Sequence, residues 1–196
     1  MPLLETPFAQ LDLIRQPEQP NEPLQAFDAA DEYLLNYLAE QQPTVQTRVL
    51  VLNDSFGALA ASLVGKTHVT SSGDSFLAFQ GLEKNLLRNG HAFDAVPKVP
   101  ANQTFTGPFD RVLIRVPKTL ALLEEQLIRL QGQLAPGAQV VAAAMIKHLP
   151  RAAGDCWRST PRQPSSRKRC AAPEACRASP CATPPYRPTR CGDRST

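Results

Sequence analysis

Apolar residues recur along the first 150 positions with two alternating patterns, one of period near 3.6 and one of short continuous runs. Asn21 can cap a helix with Pro23 in its first turn. Leu24, Phe27, Ala30, Leu34 and Leu38 then recur at helical spacing until Pro43 closes the unit. Arg48-Val-Leu-Val-Leu-Asn-Asp54 is a continuous apolar run ending in capping residues, which predicts a strand buried on both faces. A small-residue helix is expected over 55–64. A second strand over 67–70 should lead through a Ser71-Ser72-Gly73-Asp74 loop to a helix carrying Phe79, Leu82 and Leu86, stopped by Asn89-Gly90. Arg111–Val116 predicts another buried strand. Thr119 caps the clearest helical stripe, Leu120, Leu123, Leu127, Leu130 and Leu134, after which Pro136-Gly137 turns the chain into a strand over 139–145. Residues 1–20 carry four prolines and read as an N-terminal arm, with Phe8, Leu11 and Leu13 suggesting a short packed strand.

Strands that alternate with amphipathic helices imply right-handed βαβ crossovers, and so an α/β fold with a doubly wound, mostly parallel sheet over residues 21–150. Composition then divides the chain. Residues 1–150 hold 11 Lys+Arg against 15 Asp+Glu, a net of about −4, whereas residues 151–196 hold 10 against 3, a net of about +7. The segment 151–196 contains all five cysteines (Cys156, Cys170, Cys176, Cys181 and Cys191) and no Leu, Ile, Val, Phe or Met. Its only large apolar groups are Trp157 and Tyr186, too little burial to offset ordering, so a disordered C-terminal tail is expected.

Four segments resemble the N-terminal domain of the ribosomal RNA large subunit methyltransferase G family. They are Leu24-Gln-Ala-Phe-Asp-Ala-Ala-Asp-Glu-Tyr-Leu-Leu35, Val51-Leu-Asn-Asp-Ser-Phe-Gly-Ala-Leu59, Gly73-Asp-Ser75 and Val116-Pro-Lys-Thr-Leu-Ala-Leu-Leu-Glu124. The resemblance covers about residues 8–155 and implies a degenerate class I methyltransferase-like domain. It also implies S-adenosylmethionine as the cofactor of the full-length family and N2-methylguanine in 23S rRNA as the product. In that family such a domain precedes a catalytic one, so this chain is expected to carry the non-catalytic half, with rRNA as its partner.

The residues themselves are read in the same direction. A cofactor turn of this fold needs close backbone approach and hence glycines, but Asn53-Asp54-Ser55-Phe56-Gly57-Ala58 offers one glycine beside a phenylalanine. Asp74 stands where an acidic side chain would take ribose hydroxyls, and equally where a helix cap would stand. After the fourth strand, Arg115-Val116-Pro117-Lys118 replaces the Asn-Pro-Pro-aromatic pattern whose oxygens accept from a target amine, and Arg and Lys have no acceptors. No catalytic or cofactor-binding residue is therefore assigned. Lys118 precedes a helix N-terminus and Arg115 leaves the same strand end, which makes them the candidate contacts to an RNA phosphate. The alternative is a solvated lysine and an arginine paired with a carboxylate. His68, His91 and His148 show no ligand spacing, and the tail cysteines form no Cys-x-x-Cys pair, so no metal is expected.

No stretch approaches membrane-spanning length, and a cytoplasmic location is expected. Three functions stay open: a module that positions RNA and supports folding, a self-standing methyltransferase with an atypical cofactor loop, and a truncated product without function. The abrupt change to Arg, Pro, Ala, Ser, Thr and Cys beyond Leu149 is the mixture that GC-rich DNA yields out of frame. It predicts a reading-frame shift near Asp155. Sequencing the coding DNA should reveal, one nucleotide out of frame, a domain with a glycine-rich loop and an Asn-Pro-Pro-aromatic motif. A genomic sequence without such a frame would refute the shift.

Overall fold

The computed structural model describes residues 3–19, 22–145, 152–153 and 167–171. The arm begins as a small antiparallel hairpin, β1 (Leu4–Glu5) with β2 (Gln10–Leu11), in register Leu4↔Leu11. Thr6 closes its turn by accepting from Phe8 N and Ala9 N and donating to the Ala9 carbonyl. Leu4, Leu11 and Leu13 are buried in the main core.

Five further strands in the first 145 residues build the sheet: β3 (Arg48–Leu52), β4 (His68–Gly73), β5 (Lys98–Pro100), β6 (Phe109–Arg115) and β7 (Leu134–Ala143). With β8 (Arg167–Ala171) the order is β5-β4-β3-β6-β7-β8, and every pairing is parallel. Central β3 explains its own apolar run. Val49 and Val51 enter one core with α1 (Ala29–Glu40), α2 (Ala58–Ser62) and α3 (Phe76–Arg88), while Leu50 and Leu52 enter the other with α4 (Leu120–Arg129). Helices thus cover both faces, as the alternation of elements predicted.

Element boundaries moved where local hydrogen bonding outweighed periodicity. The first helix starts at Ala29, not near Asn21, because Asp28 and Asp31 form a capping box: Asp28 Oδ1 accepts from Ala30 N at 2.8 Å and Asp31 Oδ2 from Asp28 N at 2.9 Å. Leu24, read as part of the helical stripe, is 61% exposed, and Asn21 lies outside the described residues. Ser71, Ser72 and Gly73, read as a loop, continue β4, with Leu52 opposite Ser72 and Gly73 opposite Pro100. The last leucine of the α4 stripe, Leu134, opens β7 instead. Pro136 and Gly137 keep their turn chemistry as an irregularity within that strand, where the register with β6 shifts between Phe109 and Arg111. Strand β5, only three residues long and ending in proline, carried no periodicity to read.

The tail departs from its expectation at one place. Arg167–Ala171 adds to the outer edge of β7, Gln139 opposite Arg167. Pairing at a strand edge uses backbone groups that any residue supplies, which is why apolar patterning gave no sign of it. The rest of the expected tail, apart from residues 152–153, lies outside the described residues.

At the start of α2, Gly57 has φ +88°, and a Cβ there would stand 2.7 Å from Leu82 Cδ1 and 3.0 Å from Leu82 Cα. Gly65 also has positive φ (+72°) but nothing within 4 Å. Gly65→Ala should therefore cost about 1 kcal/mol of backbone strain alone, and Gly57→Ala about 2–4 kcal/mol through strain plus the clash with α3. Equal shifts of the two denaturation midpoints would refute the packing assignment.

Candidate functional site at the carboxyl ends of the strands

The crevice outside the carboxyl ends of β3 and β6 is where an open α/β sheet gathers its ligands. Here the turn after β3 is closed by its own side chains. Asn53, at φ +63°, donates from Nδ2 to the Arg115 carbonyl and to Gln126 Oε1, both at 2.9 Å. Gln126 Nε2 returns a bond to Asn53 Oδ1 at 2.7 Å. This amide pair ties the ends of β3 and β6 to the buried side of α4. Asp54 is buried, and its carboxylate accepts from Gly57 N at 3.1 Å and Ala60 N at 2.8 Å. Two amides at the head of α2 are thereby already satisfied. Phe56 lies against Gly81 of α3, with the Arg15 guanidinium 5.1 Å from its ring centroid.

Arg115 is the centre of the crevice. Its Nη1 and Nη2 grip Asp28 Oδ1 and Oδ2 at 2.5 and 2.8 Å, a two-pronged pair, and Nη1 stands 3.1 Å from Asp31 Oδ1. That last contact attracts without the alignment of a hydrogen bond, since Asp31 Oδ1 has no hydrogen-bond partner. Burial pushes the Asp31 carboxyl up to about 7, Arg115 opposing and the Asp54 and Asp28 charges reinforcing. Burial also raises Asp54, against its amide donors and Arg115. For Asp28, burial works upward but the Arg115 bond and charge prevail, and its carboxyl titrates below the usual range. Burial would lower the Arg115 guanidinium, yet Asp28, Asp31 and Asp54 together hold it above its usual value. The remaining space is an open cleft of about 480 Å³ whose walls include Arg15, Phe27, Asp28, Phe56, Arg115 and Met145.

The two candidate RNA contacts end in different situations. Arg115 has a side chain only 16% exposed and its fork filled by Asp28, the carboxylate-paired alternative. Lys118 is exposed and joins no ion pair among the described residues. Thr119 precedes α4 as expected but makes no side-chain capping bond. Asp74 is exposed at the end of β4, and the cap of α3 is its neighbour Ser75, which accepts from Ala78 N at 3.3 Å. Asp28 and Asp31 went unread as site residues. Their signal was the Asp-x-x-Asp spacing of a capping box, hidden inside a stretch assigned to helix. Among the described residues, no group of three His, Cys, Asp or Glu could hold a metal, and no helix is long and apolar enough to cross a membrane.

A family model described as the RLMG N-terminal domain matches residues 1–164. The chain belongs to that family. Ribosomal RNA large subunit methyltransferase G of Pseudomonas fluorescens (strain Pf0-1) is 83% identical over 155 residues, which cover 79% of this chain and 41% of that protein. The protein of the same name from Pseudomonas entomophila (strain L48) is 76% identical over 155 residues, with the same coverage. The chain thus spans about two fifths of the length of the curated relatives it matches. Among solved structures, the Thermus thermophilus 16S rRNA N2 G1207 methyltransferase RsmC, in complex with AdoMet and guanosine, superposes with TM-score 0.54 at 19% identity. The match covers 69% of this chain and 39% of that one. Precorrin 8w decarboxylase of Methanobacterium thermoautotrophicum gives TM-score 0.57 at 18% identity, over 74% and 76%. At such identities these two establish the fold alone, which is that of class I methyltransferases.

The acidic cluster sets a pH dependence with a definite sign. Asp31 has a folded value of about 7 against 3.8 without the fold, so it contributes stability that is complete below 3.8 and lost as pH rises to about 7. Asp54 acts in the same direction, and Asp28 in the opposite one, its share being lost as pH falls below 3.8. Denaturant unfolding between pH 5 and 8 should show stability falling with pH. Asp31→Asn, which keeps the acceptor for Asp28 N–H, should flatten that slope. An Asp31→Asn protein with the parent's pH profile would remove Asp31 from the linkage.

Proposed function

We infer that the domain serves a 23S rRNA (guanine-N2) methyltransferase as its non-catalytic N-terminal part, positioning RNA and supporting the fold of the whole enzyme. The observation that carries this is the filled crevice. S-adenosylmethionine, the cofactor implied by the family, needs a bare backbone turn after β3 and open amides at the following helix. Here Asp54 takes the amides of Gly57 and Ala60, Asn53 is spent on Gln126 and Arg115, and the Asp28–Arg115 pair stands beside the turn. The residues present do not fit the cofactor. Asp74, exposed at the end of β4, is the one feature that favours the opposite reading, a self-standing enzyme with an atypical loop.

Arg115 leaves the RNA-contacting set in this reading, since releasing it would strand Asp28 and Asp31 in the interior, whereas Lys118 remains a contact to a backbone phosphate. A cytoplasmic location accords with an rRNA partner. On its composition, the chain beyond about Asp155 is the out-of-frame product.

Isothermal titration calorimetry of the 196-residue chain with S-adenosylmethionine in the micromolar range should give no saturable heat. A stoichiometric complex would overturn the non-catalytic reading and favour the enzyme with an atypical loop.

A further inference from the structure

At the opposite end of the sheet, the amino ends of β3 and β4 open into a cleft of about 600 Å³ that no part of the crevice reaches. Arg48 and His68 are partners in the β3–β4 register and therefore project from the same face of the sheet, side by side. Both line the cleft. Neither forms an ion pair among the described residues, although most lysines and arginines described elsewhere in this domain do. Asp110 spends Oδ2 on the backbone N–H of Arg48 at 2.8 Å. The Arg48 guanidinium gives one bond to the Thr106 carbonyl at 3.2 Å and stacks 5.5 Å from the Phe109 ring centroid, leaving its remaining donors unassigned. Exposed Lys66 is flanked in sequence by two lining residues, Gly65 and Thr67.

A chain with an acidic first 150 residues that sets two basic side chains without an ion pair side by side at one cleft has a complementary ligand, an anion with several acceptor oxygens. We propose that this cleft binds a phosphate group, with the Arg48 guanidinium supplying charge and donors and the exposed His68 a ring N–H. Resting on the reading under Proposed function, the phosphate is one of the RNA backbone, held at the far end of the sheet from Lys118. The two contacts then give the RNA two anchors on one rigid domain, which fixes orientation as well as affinity.

The test measures binding of an RNA oligonucleotide to the 196-residue chain by fluorescence anisotropy across a salt series, with inorganic phosphate titrated in parallel by NMR. Arg48→Gln should flatten the slope of log affinity against log salt by about 0.7–0.9, the loss of one phosphate contact. His68→Ala changes an exposed side chain, so it should leave thermal stability at the parent's. It should lower affinity severalfold with the salt slope unchanged. The basic segment 151–196 is common to all variants, and its contribution cancels in the differences. If the parent binds RNA and both variants match it, the cleft is not the site, while the RNA-positioning reading stands. If RNA fails to bind but inorganic phosphate shifts the Thr67 and His68 amide resonances, the cleft is confirmed and the RNA reading falls. No response to either ligand overturns the proposal.

Discussion

One buried guanidinium holds three chain segments that the backbone alone leaves independent. Arg115 leaves the end of β6, Asp28 caps α1, Asp31 lies in the first turn of α1, and Asp54 belongs to the turn after β3. Taking the Arg115 and Asp28 charges out of water is expensive, and their attraction compensates because the pair is two-pronged and Asp28 Oδ1 also meets the Ala30 amide. Removing Arg115 leaves its carboxylates without a counter-charge at a cost of roughly 3–5 kcal/mol, a large share of a domain's net stability. The placement of α1 on the sheet, and with it the closure of the crevice, follows from this cluster.

Substitution of one kind of chemistry for another runs through the whole strand-end region. A ligand crevice of an open α/β sheet is kept open by glycine and bare amides; this chain fills it with Asn53, Asp54, Phe56 and Arg115, and each polar group introduced finds a partner close by. Asp31 Oδ1 is the exception, an unbonded oxygen beside a cation, and it is the group that titrates near neutrality. Burial is the main cause, and it raises the fully hydrogen-bonded Asp54 as well.

How much of this was legible depended on whether a feature had a period. Val49 to Leu52 alternate between two cores, and an apolar run between charged ends announced as much. The stripe from Leu120 to Leu130 packed as read. What failed were features set by single hydrogen bonds or by pairing across the chain. The start of α1 depended on the reciprocal bonds of Asp28 and Asp31, and the extension of β4 on its neighbour β3. Arg115 was recognised as a cation at a strand end, but its partners lie 87 and 84 positions away in sequence, and no local pattern encodes such a meeting. Lys118 was legible only as an exposed cation before a helix.

The N-terminal arm is fastened in an unusual currency. Residues 12–14 lie against α3 without belonging to a strand. Asn85 Oδ1 accepts from Ile14 N and Asn85 Nδ2 donates to Ile14 O, while Asn89, one turn on, does the same for Asp12 N and O. Asn85 is almost wholly buried and also bonds the Phe56 carbonyl. Detaching the arm would leave these amides unmatched in an apolar setting, so the arm, α3 and the turn at Phe56 gain and lose order together as one cooperative unit. Because the amides grip backbone rather than side chains, the identity of residue 14 is free to drift while that cooperativity persists, whereas Asp12 adds a side-chain pair with Arg88 of α3.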